Sequence, residues 1–326
     1  MPKRTTPEGE RDSSSEPDAK ELKLITSDSP DHNSEAYDWD LFPKDTLVDN
    51  DFRRLISVMF GYNCTIRQAQ RKGDGQIVAI KCHYKWNCEG TSHFPTVKAR
   101  LGIVEQLHHP GLVAFLGHYQ DSNTLDFVFA YDQDTPTLGD LLTQRNLSED
   151  ETAYYTLQIA AALDHIQSKG AVLRNLDDFG VLCFKDYRIK LYDFDSLCLL
   201  DADGTAQGEH GMDSIDRAPE MIEGGRYGTS VDWWSLGILV YYMITYRKPF
   251  HESFPHAGLH RSCKGNPVLT ANVRLPKFLT DDMRELITKL LNKSPGDRLS
   301  SLSELKSLPI YNNMWPSRTP NDKFWR

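Results

Sequence analysis

The sequence predicts an α+β fold in two parts, a smaller strand-rich part followed by a larger helical one, over about residues 50–310. Three observations carry this. Short runs of β-type composition, separated by turn residues, fill the stretch from about 50 to 130. A single run of helical spacing interrupts them, and after residue 135 the periodicity turns helical. The chain has 326 residues, 39% apolar and 10% aromatic, which is ordinary globular content with room for a sizeable core.

The first strands are read in "LISVMFGYNCTIRQAQ", followed by "RKGDGQ" as a hairpin loop and "IVAIKCHYKW" as the returning strand. In "TVKARLGIVEQL", Val97, Leu101 and Val104 stand at i, i+4 and i+7, the spacing of one helix face. Two more strands follow in "LVAFLGHY" and "LDFVFAY". Ser148 and Glu151 form a capping box ahead of "TAYYTLQIAAALDHIQSKG", and Gly170 supplies the stop. Short strands in "VLCF" and "IKLYDF" precede a polar segment from Asp193 to Glu220. A long stretch without regular structure inside a domain reads as functional or regulatory. The runs "SVDWWSLGILVYYMITY", "DDMRELITKLLN" and "SLSELKSL" complete the second part as helices.

Residues 1–40, rich in Ser, Asp, Glu and Pro with few apolar anchors, are expected to form a disordered acidic segment, with folding beginning near "YDWDLFP" at 38–43. Residues 311–326 are read as a C-terminal tail. The net charge of −9 argues against nucleic acid as a partner, since that affinity rests on Lys and Arg neutralising phosphates. Cys64, Cys82, Cys88, Cys183, Cys198 and Cys263 are scattered, with no C-x-x-C pair, and suggest neither zinc nor a disulfide framework. The longest apolar run, "WWSLGILVYYMI" (233–244), is too short for a membrane span. The N-terminus has charge and proline where a signal peptide needs an apolar core. A cytosolic or nuclear protein with no membrane partner is expected.

Five motifs in order resemble those of the eukaryotic protein kinases. "VAIK" sets Lys81 where that family keeps its phosphate-binding lysine on the third strand, and "DFD" sets Asp193 where the metal-binding Asp stands. "APE" (218–220) matches the close of the activation segment. "VDWWSLG" (231–237), with Asp232, resembles the core helix of the large lobe, and Arg298 in "SPGDRLS" matches the arginine that pairs with the glutamate of APE, here Glu220. The resemblance implies a bilobal protein-kinase-like fold, with an N-lobe of about 50–131 carrying helix C and a C-lobe of about 132–310. "SVDWWSLGILVYYMI" and "LSELKSLPIYNNMW" are similar to AGC-type kinases, most of all the YANK subgroup.

Phosphoryl transfer needs a phosphate cradle, metal ligands, a lysine held by a helix-C glutamate and an Asp that orients the substrate hydroxyl. Against that requirement the sequence departs from the family at each part. The glycine-rich loop aligns with "MFGYNC" (59–64) and keeps only Gly61, with Met59 and Cys64 at the flanking glycines. Arg100 stands at the place of the helix-C glutamate, facing inward towards Lys81, where two cations cannot make the ion pair. Asn175, in "LRN", replaces the catalytic Asp and lacks the carboxylate's basicity. Gly180 replaces the asparagine of the second metal, and Asp213 stands near the place of a substrate-loop threonine.

The resemblance leaves Gly61, Ile66, Ala79, Lys81, Ala130, Tyr131, Leu182 and Asp193 as candidate nucleotide-binding positions, with Asp193 the candidate metal ligand. Ala130, Tyr131 and Asp132 would form the hinge behind Phe129, and Leu173 would extend an apolar stack beneath Phe194. Arg100 is expected to reach Asp193 and take the metal's place. Two functions follow from the resemblance. One is a pseudokinase, a scaffold or allosteric regulator that binds other proteins, such as an active kinase or another signalling component, and holds ATP with magnesium weakly or not at all. The other is an atypical Ser/Thr kinase that binds Mg-ATP through Lys81 and Asp193, with Asp177 or Asp178 replacing Asn175.

Overall fold

The computed structural model describes residues 43–60, 64–85, 93–132, 134–208, 217–250 and 266–312. Gly61, Asp213 and the segments read as N-terminal extension and C-terminal tail beyond 312 lie outside the described residues. Five antiparallel strands open the fold: β1 (Phe52–Phe60), β2 (Cys64–Arg71), β3 (Ile77–Tyr84), β4 (Phe115–Gln120) and β5 (Thr124–Ala130), in the order β1-β2-β3-β5-β4. The hairpin read in "RKGDGQ" is present. Gly75 takes φ 73° there, a backbone conformation that glycine adopts without strain, and Asp74 accepts the Gln76 amide at 3.0 Å.

Strand alternation decides what this sheet offers the rest of the molecule. Val78, Ile80 and Cys82 of β3 point to one side, where they close a small core with Phe52, Ala69, Tyr119 and Val128. Ala79, Lys81 and His83 therefore share the other face. Register pairs Ile66 with Lys81 and Cys64 with His83, which puts Ile66 and Cys64 on that same face. Helix α1 (His93–Val104) carries the expected stripe, with Val97, Leu101 and Val104 all buried in the main core.

The second part is helical. In α2 (Leu138–Gln144) Thr137 and Asp140 cap each other reciprocally, an element the sequence reading passed over because the run is only seven residues long. Helix α3 (Glu149–Ser168) begins on the Ser148–Glu151 box, and Gly170 follows its end with φ 68°. Two-residue strands β6 (Ala171–Val172) and β9 (Cys198–Leu199) pair with each other, as do β7 (Val181–Cys183) and β8 (Ile189–Leu191). Helices α4 (Pro219–Ile222), α5 (Ser230–Thr245), α6 (Pro267–Thr270), α7 (Asp281–Leu290), α8 (Leu302–Lys306) and α9 (Pro309–Asn312) complete the order. Trp233 and Trp234 are fully buried on α5, within one core that also includes Leu101, Phe127, Leu163 and Leu286.

The segment read as lacking regular structure, Asp193 to Glu220, is more ordered than its composition implied. Its described portion carries β9, and Ala206 bridges to Tyr227 through backbone hydrogen bonds of 2.8 and 2.9 Å. Arg226 fastens the turn between them by ion pairs to Asp201 at 2.5 Å and Asp203 at 3.2 Å. The acidic residues that looked like loop composition are partners for an arginine more than twenty positions away. Among the described residues no helix is long and apolar enough to cross a membrane.

Candidate functional site

The cleft face of β3 brings Lys81 to the segment Asp193-Phe194-Asp195, where its ammonium lies 3.5 Å from Asp193 and 2.5 Å from Asp195. Burial works against the charge of Lys81, yet the two carboxylates outweigh it and hold its pKa above the ordinary lysine value. Burial likewise works against Asp195, and the charges of Lys81 and Arg100 hold that carboxyl below the ordinary range. Asp193 also accepts the Asp195 amide at 3.1 Å. Opposite, the Cys64 thiol lies 3.7 Å from the other oxygen of Asp195, and burial pushes the thiol up to about 12, so it is a neutral donor.

Arg100 is where the helix stripe places it, one turn from Val97 and from Val104. Its Nε is sealed from solvent and has no hydrogen-bond partner, and among the described residues Arg100 makes no ion pair. The expected reach to Asp193 is thus not made. Lys81 and the Asp195 amide already occupy that carboxylate, and the carboxylate nearest in effect to Arg100 is Asp195. Burial lowers the pKa of Arg100, and the like charge of Arg174 adds to the effect. His83 lies in the same cluster, its imidazole pushed down to about 3 by burial and its Nε2 also without a partner, so it is neutral.

The loop from 173 to 180 is held from below by Asp232. Its carboxylate accepts the amides of Leu173 at 3.0 Å and Arg174 at 2.7 Å, and burial raises its pKa to about 6. Arg174 sits at φ 69°, a strained conformation for a side-chain-bearing residue, and its guanidinium donates to the Ser196 carbonyl at 2.5 Å and to the Tyr227 hydroxyl at 3.1 Å. Leu173 and Phe194 are both buried in the main core, and Phe194 meets Phe129 at 5.9 Å between ring centroids. Leu173 and Phe194 thus belong to one core, and the ring contact of Phe194 is with Phe129.

Asn175 is half-buried and offers an amide, which is not a base. Asp177 turns back to accept the Gly180 amide at 2.8 Å, and burial together with Asp178 and Asp193 raises its pKa. Asp178 points elsewhere: its Oδ2 lies 2.7 Å from where a side chain on Gly139 of α2 would begin. At Gly180 a Cβ would stand 3.5 Å from Asp177 Oδ1 and 3.7 Å from Asp193 Cβ. A side chain fits there, so packing does not demand glycine.

Ile66, Ala79, Leu182, Ala130 and Tyr131 are each half-buried, with Ala79 paired to Phe129 across β3 and β5. Apolar walls of this kind fit an adenine, and Lys81 fits a phosphate. Magnesium does not fit. Gly180 has no donor, Asp193 is engaged by Lys81 and a backbone amide, and the described residues include no group of three His, Cys, Asp or Glu side chains suited to a metal. Farther out, Arg298 forks onto Glu220 at 2.7 and 2.9 Å, the pairing expected from APE.

Asp195 is the site residue that sequence reasoning missed. The signal was legible, since the family motif is D-F-G and this chain reads D-F-D. Comparison with known proteins agrees with this geometry. The family described as protein kinase domain matches residues 57–309. The chain is 28% identical to the RAC family serine/threonine-protein kinase homolog of Dictyostelium discoideum over 270 residues, which are 81% of this chain and 58% of that protein. It is also 28% identical to the RAC-beta serine/threonine-protein kinase A of Xenopus laevis over 291 residues, 87% of this chain and 58% of that protein. The chain therefore spans less than two thirds of the length of these relatives. A strand-borne lysine meeting an aspartate at the seam of sheet and helices, the Glu220–Arg298 fork and the matched 57–309 together establish that the chain belongs to the protein kinase family.

Proposed function

We propose that this chain is a pseudokinase, a kinase fold that works by binding other proteins with little or no phosphate transfer. The observation that carries the reading is the exchange of partners at Lys81. Its ammonium is held at 2.5 Å by Asp195 from its own D-F-D segment, while the helix position that should supply a glutamate presents Arg100. Asn175 and Gly180 remove the base and a metal ligand from the same cleft, and a lost base alone removes about 10²–10⁴-fold in rate. Leu173 and the buried Phe129–Phe194 contact give the lobes an apolar connection that needs no ligand. A radiolabel transfer assay of the wild type against Asp193→Asn tests this. Equal, background-level transfer is expected; transfer that the substitution abolishes would sink the scaffold reading.

A second reading, an active Ser/Thr kinase, draws on one observation. Asp177 is a largely buried carboxyl of raised pKa beside Gly180, in a condition suited to a general base. Its mark would be transfer that persists in the wild type and disappears in Asp177→Asn.

A further inference from the structure

The cleft contains a cation that makes no ion pair among the described residues, although Asp195 and Asp193 act on it through their charge. The Arg100 guanidinium has a sealed, unpartnered Nε and no ion pair among the described residues, and a guanidinium cannot shed its proton to escape that cost. Lys81 beside it has three donors, of which Asp193 and Asp195 engage two. The charges tell the same story. Relative to the family motif, Arg100 for glutamate raises the cleft charge by two, Asn175 for aspartate raises it by one, and Asp195 for glycine lowers it by one. The balance equals the charge of one divalent cation, in a cleft whose side chains do not fit magnesium.

We propose that this cleft binds a nucleoside polyphosphate without any metal ion, the guanidinium of Arg100 and the free donor of Lys81 taking the phosphate charge that magnesium takes in active members of the family. The base lies between Ile66 and Ala79 above and Leu182 below. The phosphates meet Arg100 through charge-assisted, forked hydrogen bonds, one of which satisfies its buried Nε. Asp193, a metal ligand in active kinases, serves here to hold Lys81 and repels the phosphates mildly. The inference rests on the reading above of a kinase fold with little or no phosphate transfer.

The test uses the full chain, with ATP titrated in EDTA and again in excess magnesium, read by a fluorescent ATP analogue and by calorimetry. The expected affinity in EDTA lies within about threefold of that in magnesium, and Arg100→Gln weakens it about tenfold or more, the loss of a hydrogen bond between charged groups. Asp193→Asn supplies a second arm that is independent of how the Arg100 variant folds. Without a metal it leaves ATP binding equal or tighter, whereas loss of a metal ligand would abolish it. Binding that appears only with magnesium, that disappears in Asp193→Asn, or that is absent under both conditions overturns the proposal. An Arg100→Gln protein that folds and binds as well as the wild type overturns it too. Each of these leaves the scaffold reading standing, which only measured phosphate transfer removes.

Discussion

At Lys81 the ammonium meets Asp195 at 2.5 Å and Asp193 at 3.5 Å, in a place where its side chain is only 11% exposed. Removing one partner of such a pair strands the other charge. Asp195→Gly, which restores the family residue, is therefore expected to cost about 3 kcal/mol in urea unfolding. The pH dependence follows from the direction of the shift. Asp195 is depressed in the folded state, so its contribution is present above the ordinary carboxylate value of about 4 and is lost as pH falls through the lower folded one. The wild type should thus lose its advantage over Asp195→Gly below about pH 4, and equal stability of the two proteins at neutral pH would refute this role. Asn175, Gly180 and Arg100 were legible as departures because a motif states which residue type belongs at each place. That Arg100 falls short of Asp193 was not, because helical spacing gives a direction without a distance.

Elements were legible wherever a period or a cap repeats locally. The stripe Val97, Leu101, Val104 and the Ser148–Glu151 box act within a few residues, and both are found where the sequence places them. Short elements were missed for the converse reason: two residues of β6 or β9 have no period to read, and they exist because each gives the other a ladder. Gly237 shows what long-range packing adds. On α5 it faces α7 so closely that a Cβ would lie 2.8 Å from Leu290 Cβ and 2.8 Å from Leu291 Cδ2. Gly237→Ala is expected to destabilise by about 1–3 kcal/mol despite its better helix propensity, because the two helices must separate. Circular dichroism melting measures this, and a raised midpoint would refute it.

Across the whole molecule, one core joins the sheet's Phe127 to α3 and α5, and one buried fork joins Glu220 to Arg298, 78 residues later. Arg298 is 2% exposed, and its ring-facing side lies over Trp234 at 5.1 Å. Lysine there keeps the charge and loses both the fork and the stacking, so Arg298→Lys should cost about 3 kcal/mol. Thermal unfolding followed by calorimetry checks it, with an unchanged midpoint as the contrary result. By itself the sequence determined the α+β architecture, the longer strands and helices and the family motifs, because periodicity, caps and motif positions are local properties of a chain. Only the tertiary structure decided that Asp195 takes Lys81, that the Arg100 Nε is sealed without a partner among the described residues, and that Asp177 turns back on Gly180, because which charges meet depends on distances between segments far apart in sequence.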